Sequence, residues 1–339
     1  MNIRQLPIKQ CVEKLHNFIY SVIMEKIQKI ITRCLEEAPC NAEISYDEPM
    51  SAHTSFRTGG PAECLVKPIG ADSFVFAVKL INAARQEQIP VFILGAGANI
   101  LVSDKGISGI TIDTVGWSGE IRGNRETELI FQCGTALDEA AELAASRGLG
   151  GLEFLAGMPG SIGGGLWMNA RAYECEISDV VTEARILDYS SAIKIRTIKT
   201  RKKDFGYKHS PFQKHQWLIL CARFSLHPRN ENEIRSDMEK FRQDRQEKGH
   251  YKFPSAGSAF KNNRSFGKAT GQIIDELGLK GLVLGGAQIA PYHANIIINT
   301  GGAAAKDIRD LMELAAAHVK EAYGFILEPE IIFAGDWDS

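Results

Sequence analysis

Ser258 lies in the stretch Pro254-Ser255-Ala256-Gly257-Ser258-Ala259-Phe260-Lys261-Asn262. A hydroxyl held in such a tight loop can hand a proton to a developing carbanion or enolate, provided water is excluded and the geometry is fixed. Read alone, the same residue is also an ordinary turn serine. Nucleophilic catalysis fits less well, because no Gly-x-Ser-x-Gly elbow is present and no histidine is placed as its base. A second stretch, Asp204 to Phe212, holds Tyr207, which can stack on a sugar or base, and Lys208, which can neutralise a carboxylate or phosphate. Its alternative is a solvated surface pair. A third, Leu327-Glu328-Pro329-Glu330-Ile331-Ile332-Phe333, sets an acid at the mouth of an apolar strand. Burial there would raise its pKa and suit it to acid or hydrogen-bonding work near neutral pH; the alternative is a strand-end carboxylate paired with a cation.

Two glycine-rich loops precede these residues. Gly157-Met158-Pro159-Gly160-Ser161-Ile162-Gly163-Gly164-Gly165 runs into an apolar segment ending at Trp167, Met168 and Asn169, and Gly95-Ala96-Gly97-Ala98-Asn99 separates two apolar runs. Clustered glycines let bare backbone N–H groups approach a pyrophosphate. Neither loop is a dinucleotide fingerprint or a Walker A loop, and the loop at 95–99 sits between strands, which excludes a Rossmann phosphate turn.

The elements that must carry these residues are legible from periodicity. After a first α/β unit (strand 63–67, helix 72–87, strand 91–94, strand 100–102), strand-like runs dominate from 109 to 226, at 110–112, 128–133, 180–187, 193–198 and 218–225. A helix at 137–147 interrupts them. Helical spacing restarts at 230–246 behind an Asn230 cap, and a domain boundary is read near residue 229. Helices at 269–277 and 304–322, strands near 287 and 296, and a last strand at 330–334 complete an α+β carboxy-terminal unit. Ahead of all this, Val12, Leu15, Phe18, Ile19, Val22, Ile23, Ile27, Ile30 and Ile31 recur at spacings that predict an amphipathic helix within residues 1–40. Charged residues interrupt it, so it predicts packing on the body or on a partner subunit and no membrane insertion.

Composition narrows the function class. A chain of 339 residues that is 44% hydrophobic and 24% charged reads as a folded protein of several domains, and a net charge of -2 offers no footprint for nucleic acid. Seven scattered cysteines without a Cys-x-x-Cys pair argue against a disulfide framework or a metal site and for a reducing, cytoplasmic setting. The expected partners are small molecules, with the protein a monomer or homodimer.

Taken in order, these stretches resemble the UDP-N-acetylenolpyruvoylglucosamine reductases, also called UDP-N-acetylmuramate dehydrogenases. The resemblance runs from about Thr54 to Gly335. It also takes in Thr54 to Ala62, Leu279-Lys280-Gly281, His293-Ala294-Asn295 and Asn299. It implies an α+β fold: a two-subdomain FAD-binding unit of the vanillyl-alcohol-oxidase type at 41–113 (with the strand at 328–339) and 114–228, then a UDP-sugar domain at 229–327. It implies FAD and NADPH as cofactors and reduction of an enolpyruvyl UDP-sugar in peptidoglycan precursor synthesis, with hydride passing from flavin N5 to C3.

Carried over residue by residue, the resemblance implies Ser258 as the proton donor to C2, and Glu330 with Lys208 at the substrate carboxylate. It implies cofactor contacts from Arg57, Gly95, Gly97, Ala98, Asn99, Gly157, Pro159, Gly160, Ser161, Gly163, Gly164 and Asn169. Substrate contacts fall to Tyr207, Lys261, Asn262 and His293, with Arg242 and Arg245 reaching the UDP phosphates. Lys208 departs from the family's arginine, which loses the planar two-donor fork. Ala98, Arg171, Glu174 and Asn263 also depart, and the short stretch from Tyr173 to Val180 resembles the subgroup without a tyrosine-bearing lid. Two other readings stay open: a flavin oxidase or dehydrogenase acting on another substrate, and a catalytically impaired flavin- or UDP-sugar-binding protein.

Overall fold

The computed structural model describes residues 8–337 apart from Arg122 and Asn124, with side chains from Phe18 onward except Ala71. Helix α1 (Ile8–Glu37) opens the chain. Its second half buries Met24, Ile27, Ile30, Ile31 and Cys34, while Phe18, Ile19 and Val22 are 67%, 49% and 39% exposed, so only part of the apolar stripe read from the sequence meets the body. Val12 and Leu15 lie outside the described side chains.

The first unit then adds β1 (Ala42–Pro49), β2 (Pro61–Pro68), α2 (Phe74–Gln86), β3 (Val91–Leu94), β4 (Ile100–Val102) and β5 (Ile107–Asp113). β1 pairs antiparallel with β2, β5 lies parallel between β2 and β3, and α2 packs on the sheet and on α1. Phe76, Ala77, Leu80, Ile81 and Ala84 form the buried stripe of α2, at the spacing of one helix face.

The middle unit holds β6 (Glu120–Ile121), β7 (Glu128–Gln132), α3 (Leu137–Ala145), β8 (Leu149–Gly150), α4 (Ile162–Met168), β9 (Arg171–Ala172), β10 (Cys175–Glu176), β11 (Val181–Asp188), β12 (Lys194–Lys199), β13 (Trp217–Ser225), β14 (His227–Pro228) and α5 (Glu231–Glu247). Five of its strands form an antiparallel sheet in the order β12-β11-β13-β7-β6. Asn230 caps α5 by accepting from the Asn232 N–H at 2.9 Å. The sequence reading assigned α5 to the carboxy-terminal unit, but its apolar stripe, Ile234 and Met238, sits in one core with Phe131, Leu149, Leu155 and Phe224 of the middle unit. That core also contains Ile27 of α1 and Leu80 of α2.

The last unit comprises α6 (Thr270–Glu276), β15 (Val283–Leu284), β16 (Ala287–Ile289), β17 (Ile297–Asn299), α7 (Ala305–Tyr323) and β18 (Ile332–Ala334). Its own core gathers Ile273, Ile289, Ile308, Leu311, Met312 and Val319, together with Phe56 and Leu101 of the first unit. β18 leaves this unit and pairs in parallel with β4, Ile332 opposite Ile100. Asp104 is likewise shared: its carboxylate accepts from the N–H groups of Ala305 and Lys306 at 2.7 and 2.9 Å, satisfying two free donors at the start of α7. No described helix is long and apolar enough to cross a membrane.

Candidate active site

The two glycine loops meet. Gly95 lies so close to the other loop that a Cβ there would stand 2.9 Å from Ser161 Oγ, and one on Gly97, whose φ is +62°, would stand 1.9 Å from the carbonyl oxygen of His53. At Gly97, where the backbone is left-handed and the obstructing atom is itself backbone, only glycine fits. The segment carrying Arg57 closes on the same place: Ser55 N–H donates to Gly97 O and Ser55 Oγ to Ala98 O, both at 3.1 Å. Arg57 itself is exposed at the rim, with φ +53°.

Ser161 caps α4, its hydroxyl accepting from Gly164 N–H at 3.4 Å. The N–H groups of Ala96, Gly97, Ala98, Gly160 and Ser161 have no partner among the described residues. A row of unsatisfied donors beside positions stripped of side chains fits a diphosphate, whose oxygens accept several hydrogen bonds and whose charge they offset. The fit with the pyrophosphate of FAD therefore rests on donors as well as on space. Pro159 and Gly164 are exposed, and Gly157 and Gly163 half-buried, along the same loop.

Asn169 has a different task in the structure. It ends α4 in the left-handed conformation, φ +48°, and its buried carboxamide donates to Glu176 Oε2 at 3.0 Å and to Gly206 O at 2.9 Å while accepting from Ser178 N–H. It thereby fixes the turn that carries Tyr207 and Lys208. Gly206 and His209 bond to each other through both backbone pairs, and Lys208 takes φ +55° at the second central position, where glycine is the usual occupant. That conformation costs a non-glycine residue about 1 kcal/mol.

In return, Lys208 Nζ reaches Glu330 Oε1 at 2.6 Å across the interior, with the two side chains 17% and 9% exposed. Glu330 is held from both sides of its backbone: Asn99 Nδ2 donates to its carbonyl at 3.0 Å, and its N–H donates to Ala259 O at 2.9 Å. Ser258, one residue before Ala259, is half-buried behind Gly257, and its hydroxyl has no hydrogen-bond partner among the described residues. Lysine and glutamate thus meet from two distant parts of the chain, and the backbone of Glu330 is bonded to the segment that carries Ser258. An ammonium and a carboxyl in contact away from bulk water can grip an incoming carboxylate, and an uncommitted hydroxyl on the adjoining segment can supply a proton.

Tyr207 joins the group, its hydroxyl accepting from Asn262 N–H at 3.3 Å. Arg171 and Lys208 lie 5.9 and 6.0 Å from its ring centre. Lys261 is salt-bridged to Glu328 at 2.6 Å, and Asn262 Oδ1 accepts from Thr270 N–H at 2.9 Å, which caps α6. His293 is half-buried, its Nδ1 accepting from Asn295 N–H at 3.2 Å, and burial pushes its imidazole below the usual pKa.

Arg242 and Arg245 are committed elsewhere. Arg242 bridges Asp138 and Glu142 of α3 at 2.7 and 2.6 Å, and the buried Arg245 donates to Ala156 O at 3.1 Å and Phe154 O at 3.4 Å. Both hold α5 against the approach to the glycine loop. The sequence reading named two asparagines as part of the resemblance but gave them no role: Asn299, which donates to Phe56 O at 2.9 Å, and Asn295, which clasps Phe260. Both lie in stretches that carry the family resemblance, the one signal that pointed to them.

Comparison with known proteins gives one answer from several directions. Residues 249–334 match the model of the UDP-N-acetylenolpyruvoylglucosamine reductase carboxy-terminal domain, and residues 76–194 match an FAD binding domain. The chain is 41% identical over 307 residues to UDP-N-acetylenolpyruvoylglucosamine reductase of Treponema denticola, covering 87% of this chain and 94% of that one. The enzyme of the same name from Caldanaerobacter subterraneus is 39% identical over 308 residues, covering 91% and 99%. The crystal structure of UDP-N-acetylenolpyruvylglucosamine reductase from Thermus caldophilus superimposes with a TM-score of 0.68 at 29% identity, covering 87% of this chain and 99% of that one.

Proposed function

The chain belongs to the UDP-N-acetylenolpyruvoylglucosamine reductase family, and from that premise we propose that Lys208, Glu330 and Ser258 carry its reaction. The protein is an FAD-dependent oxidoreductase that uses NADPH to reduce UDP-N-acetylglucosamine enolpyruvate to UDP-N-acetylmuramate, a step of peptidoglycan precursor synthesis. FAD, when bound, carries two electrons from NADPH to the enolpyruvyl double bond.

The chain's own residues do the rest. The N–H groups of 96–98 and 160–161, which lack a protein partner among the described residues, would hold the pyrophosphate, with Arg57 on the adjoining segment as a cation. Lys208 neutralises the substrate carboxylate as negative charge develops on it, and Glu330 fixes the ammonium in place. Ser258 donates the proton that C2 requires. Tyr207, Lys261, Asn262 and His293 line the approach of the sugar nucleotide, and the two cations beside the Tyr207 ring favour an anionic guest. The reading of the site rests on the 2.6 Å pair between Lys208 and Glu330, because the Glu330 N–H ties that pair directly to the segment of Ser258. The reaction is assigned to the cytoplasm, on the number and scatter of the cysteines in the sequence.

The test separates the two halves of the reaction. Purified protein should be yellow, and NADPH should bleach it anaerobically; the enolpyruvyl UDP-sugar should then restore the colour. Failure of that sugar to speed reoxidation would remove the assignment. Ser258→Ala should leave bleaching nearly intact and slow recolouring by roughly 10³-fold.

A further inference from the structure

We propose that Asn295 is a positioning residue for proton delivery: its carboxamide replaces a neighbouring strand and fixes the segment of Ser258 in register with that of Glu330. The proposal rests on the assignment of Ser258 and Glu330 to the reaction. Asn295 is 2% exposed. Its Oδ1 accepts from Phe260 N–H at 3.0 Å and its Nδ2 donates to Phe260 O at 2.8 Å, so one side chain satisfies both backbone groups of a single residue. The amide fits only this way round, since one backbone group donates and the other accepts.

The surrounding bonds show how much depends on this contact. Ala259 N–H donates to Asn295 O at 2.7 Å, and Ala259 O accepts from Glu330 N–H at 2.9 Å. Lys261 N–H donates to Glu328 O at 2.9 Å, and Lys261 O accepts from Thr270 Oγ1 at 2.9 Å. From Ala259 to Lys261 every backbone donor and acceptor is therefore used. The bonds on one edge belong to the strand of Glu330, and Phe260 is held entirely by Asn295. Without the carboxamide both polar groups of Phe260 are left buried and unpaired, and the segment can shift against Glu330. Ser258, two residues away, has no side-chain bond of its own to hold it. A positioned hydroxyl loses transfer efficiency steeply with small displacements, whereas reduction of the cofactor by NADPH needs no proton from Ser258.

Asn295→Asp tests this, because a carboxylate keeps the acceptor toward Phe260 N–H but presents no donor to Phe260 O, while the protonated acid presents both. Burial raises the pKa of such an acid, so donation returns as the pH falls. With anaerobic stopped flow, bleaching by NADPH should stay within about twofold of the parent protein, while recolouring by the enolpyruvyl UDP-sugar should drop about 10²-fold at pH 8 and recover to within about fivefold at pH 5.5. Relative to the parent protein at the same pH, amide exchange across Ala259 to Lys261 should be faster at pH 8, because the segment loosens when the bond to Phe260 O is lost, and close to the parent's at pH 5.5. Equal losses in both half-reactions, recolouring at the parent rate, or a ratio to the parent that ignores pH would each overturn the proposal. If Asn295→Asp does not fold, Asn295→Gln, which keeps donor and acceptor one methylene further out, takes its place: slow recolouring with normal bleaching supports the proposal and equal losses overturn it. A parent protein that the enolpyruvyl sugar cannot recolour would count against the proposed reaction instead.

Discussion

At the scale of single residues, Lys208 is where this chain commits most. It adopts a left-handed backbone and puts its ammonium against Glu330, so a local cost serves a distant contact. Removing the cation leaves Glu330 buried without its partner, which destabilises the fold by roughly 3 kcal/mol. In the proposed reaction it also withdraws the charge that faces the substrate carboxylate. Lys208→Ala should therefore lower the rate of reoxidation by the enolpyruvyl UDP-sugar by about 10²- to 10³-fold while NADPH still bleaches the flavin at close to the parent rate. Lys208→Arg keeps the charge and adds the planar fork that grips a carboxylate through two bonds, so its rate should equal or exceed that of the parent. Both are read by stopped-flow absorbance. Parent-like reoxidation in Lys208→Ala would show the lysine to be peripheral.

Elements explain why some of the molecule could be read in advance and some could not. Helix α1 is amphipathic by spacing, yet its stripe divides: Ile27, Ile30 and Ile31 are buried and Phe18 is not. Ile27→Ala and Ile31→Ala should each cost about 2–4 kcal/mol in urea unfolding through lost burial and the cavity left behind, and Phe18→Ala less than about 0.5 kcal/mol. A neutral Ile27→Ala would mean that the helix does not pack on α2 in solution. Periodicity reports that a face is covered without saying by what. The same limit explains α5, whose Ile234 and Met238 were visible as a stripe but whose core is that of the middle unit. Strand and helix positions followed from alternation and spacing, as at 91–94 and 305–323, because those patterns are local. The pairing of Lys208 with Glu330 was not local, and only a likeness to known sequences put both at one site. Asn295 left still less trace, since its partner is backbone, which any residue supplies.

Across the whole molecule, the proposed reaction centre lies where the last unit returns to the first. Thr58 Oγ1 donates to Ala303 O, Asn299 to Phe56 O, Asp104 caps α7, and β18 pairs with β4, so the segment of Glu330 is clamped by contacts between units. A further contact of this kind is electrostatic. His250, just after α5, and His293, before β17, lie close enough to repel each other when charged, and burial is the main cause that pushes both below the ordinary value of 6.5. Arg245 and Lys248 add to the repulsion at His250, and Lys248 and Lys280 at His293, with Asp244 opposing it at His250. An imidazole whose pKa is lower folded than unfolded binds its proton more readily in the unfolded chain. Stability is therefore intact above pH 6.5 and falls as the pH drops from there toward the folded pKa values, by at most about 1.4 kcal/mol per pH unit for each histidine. Below those values both states are protonated and this contribution stops changing. Thermal unfolding between pH 7.5 and 5 should show Tm falling through this window, and His293→Gln, which removes one of the two protons, should flatten the slope. A slope unchanged by His293→Gln would mean that the acid sensitivity of the interface comes from other groups.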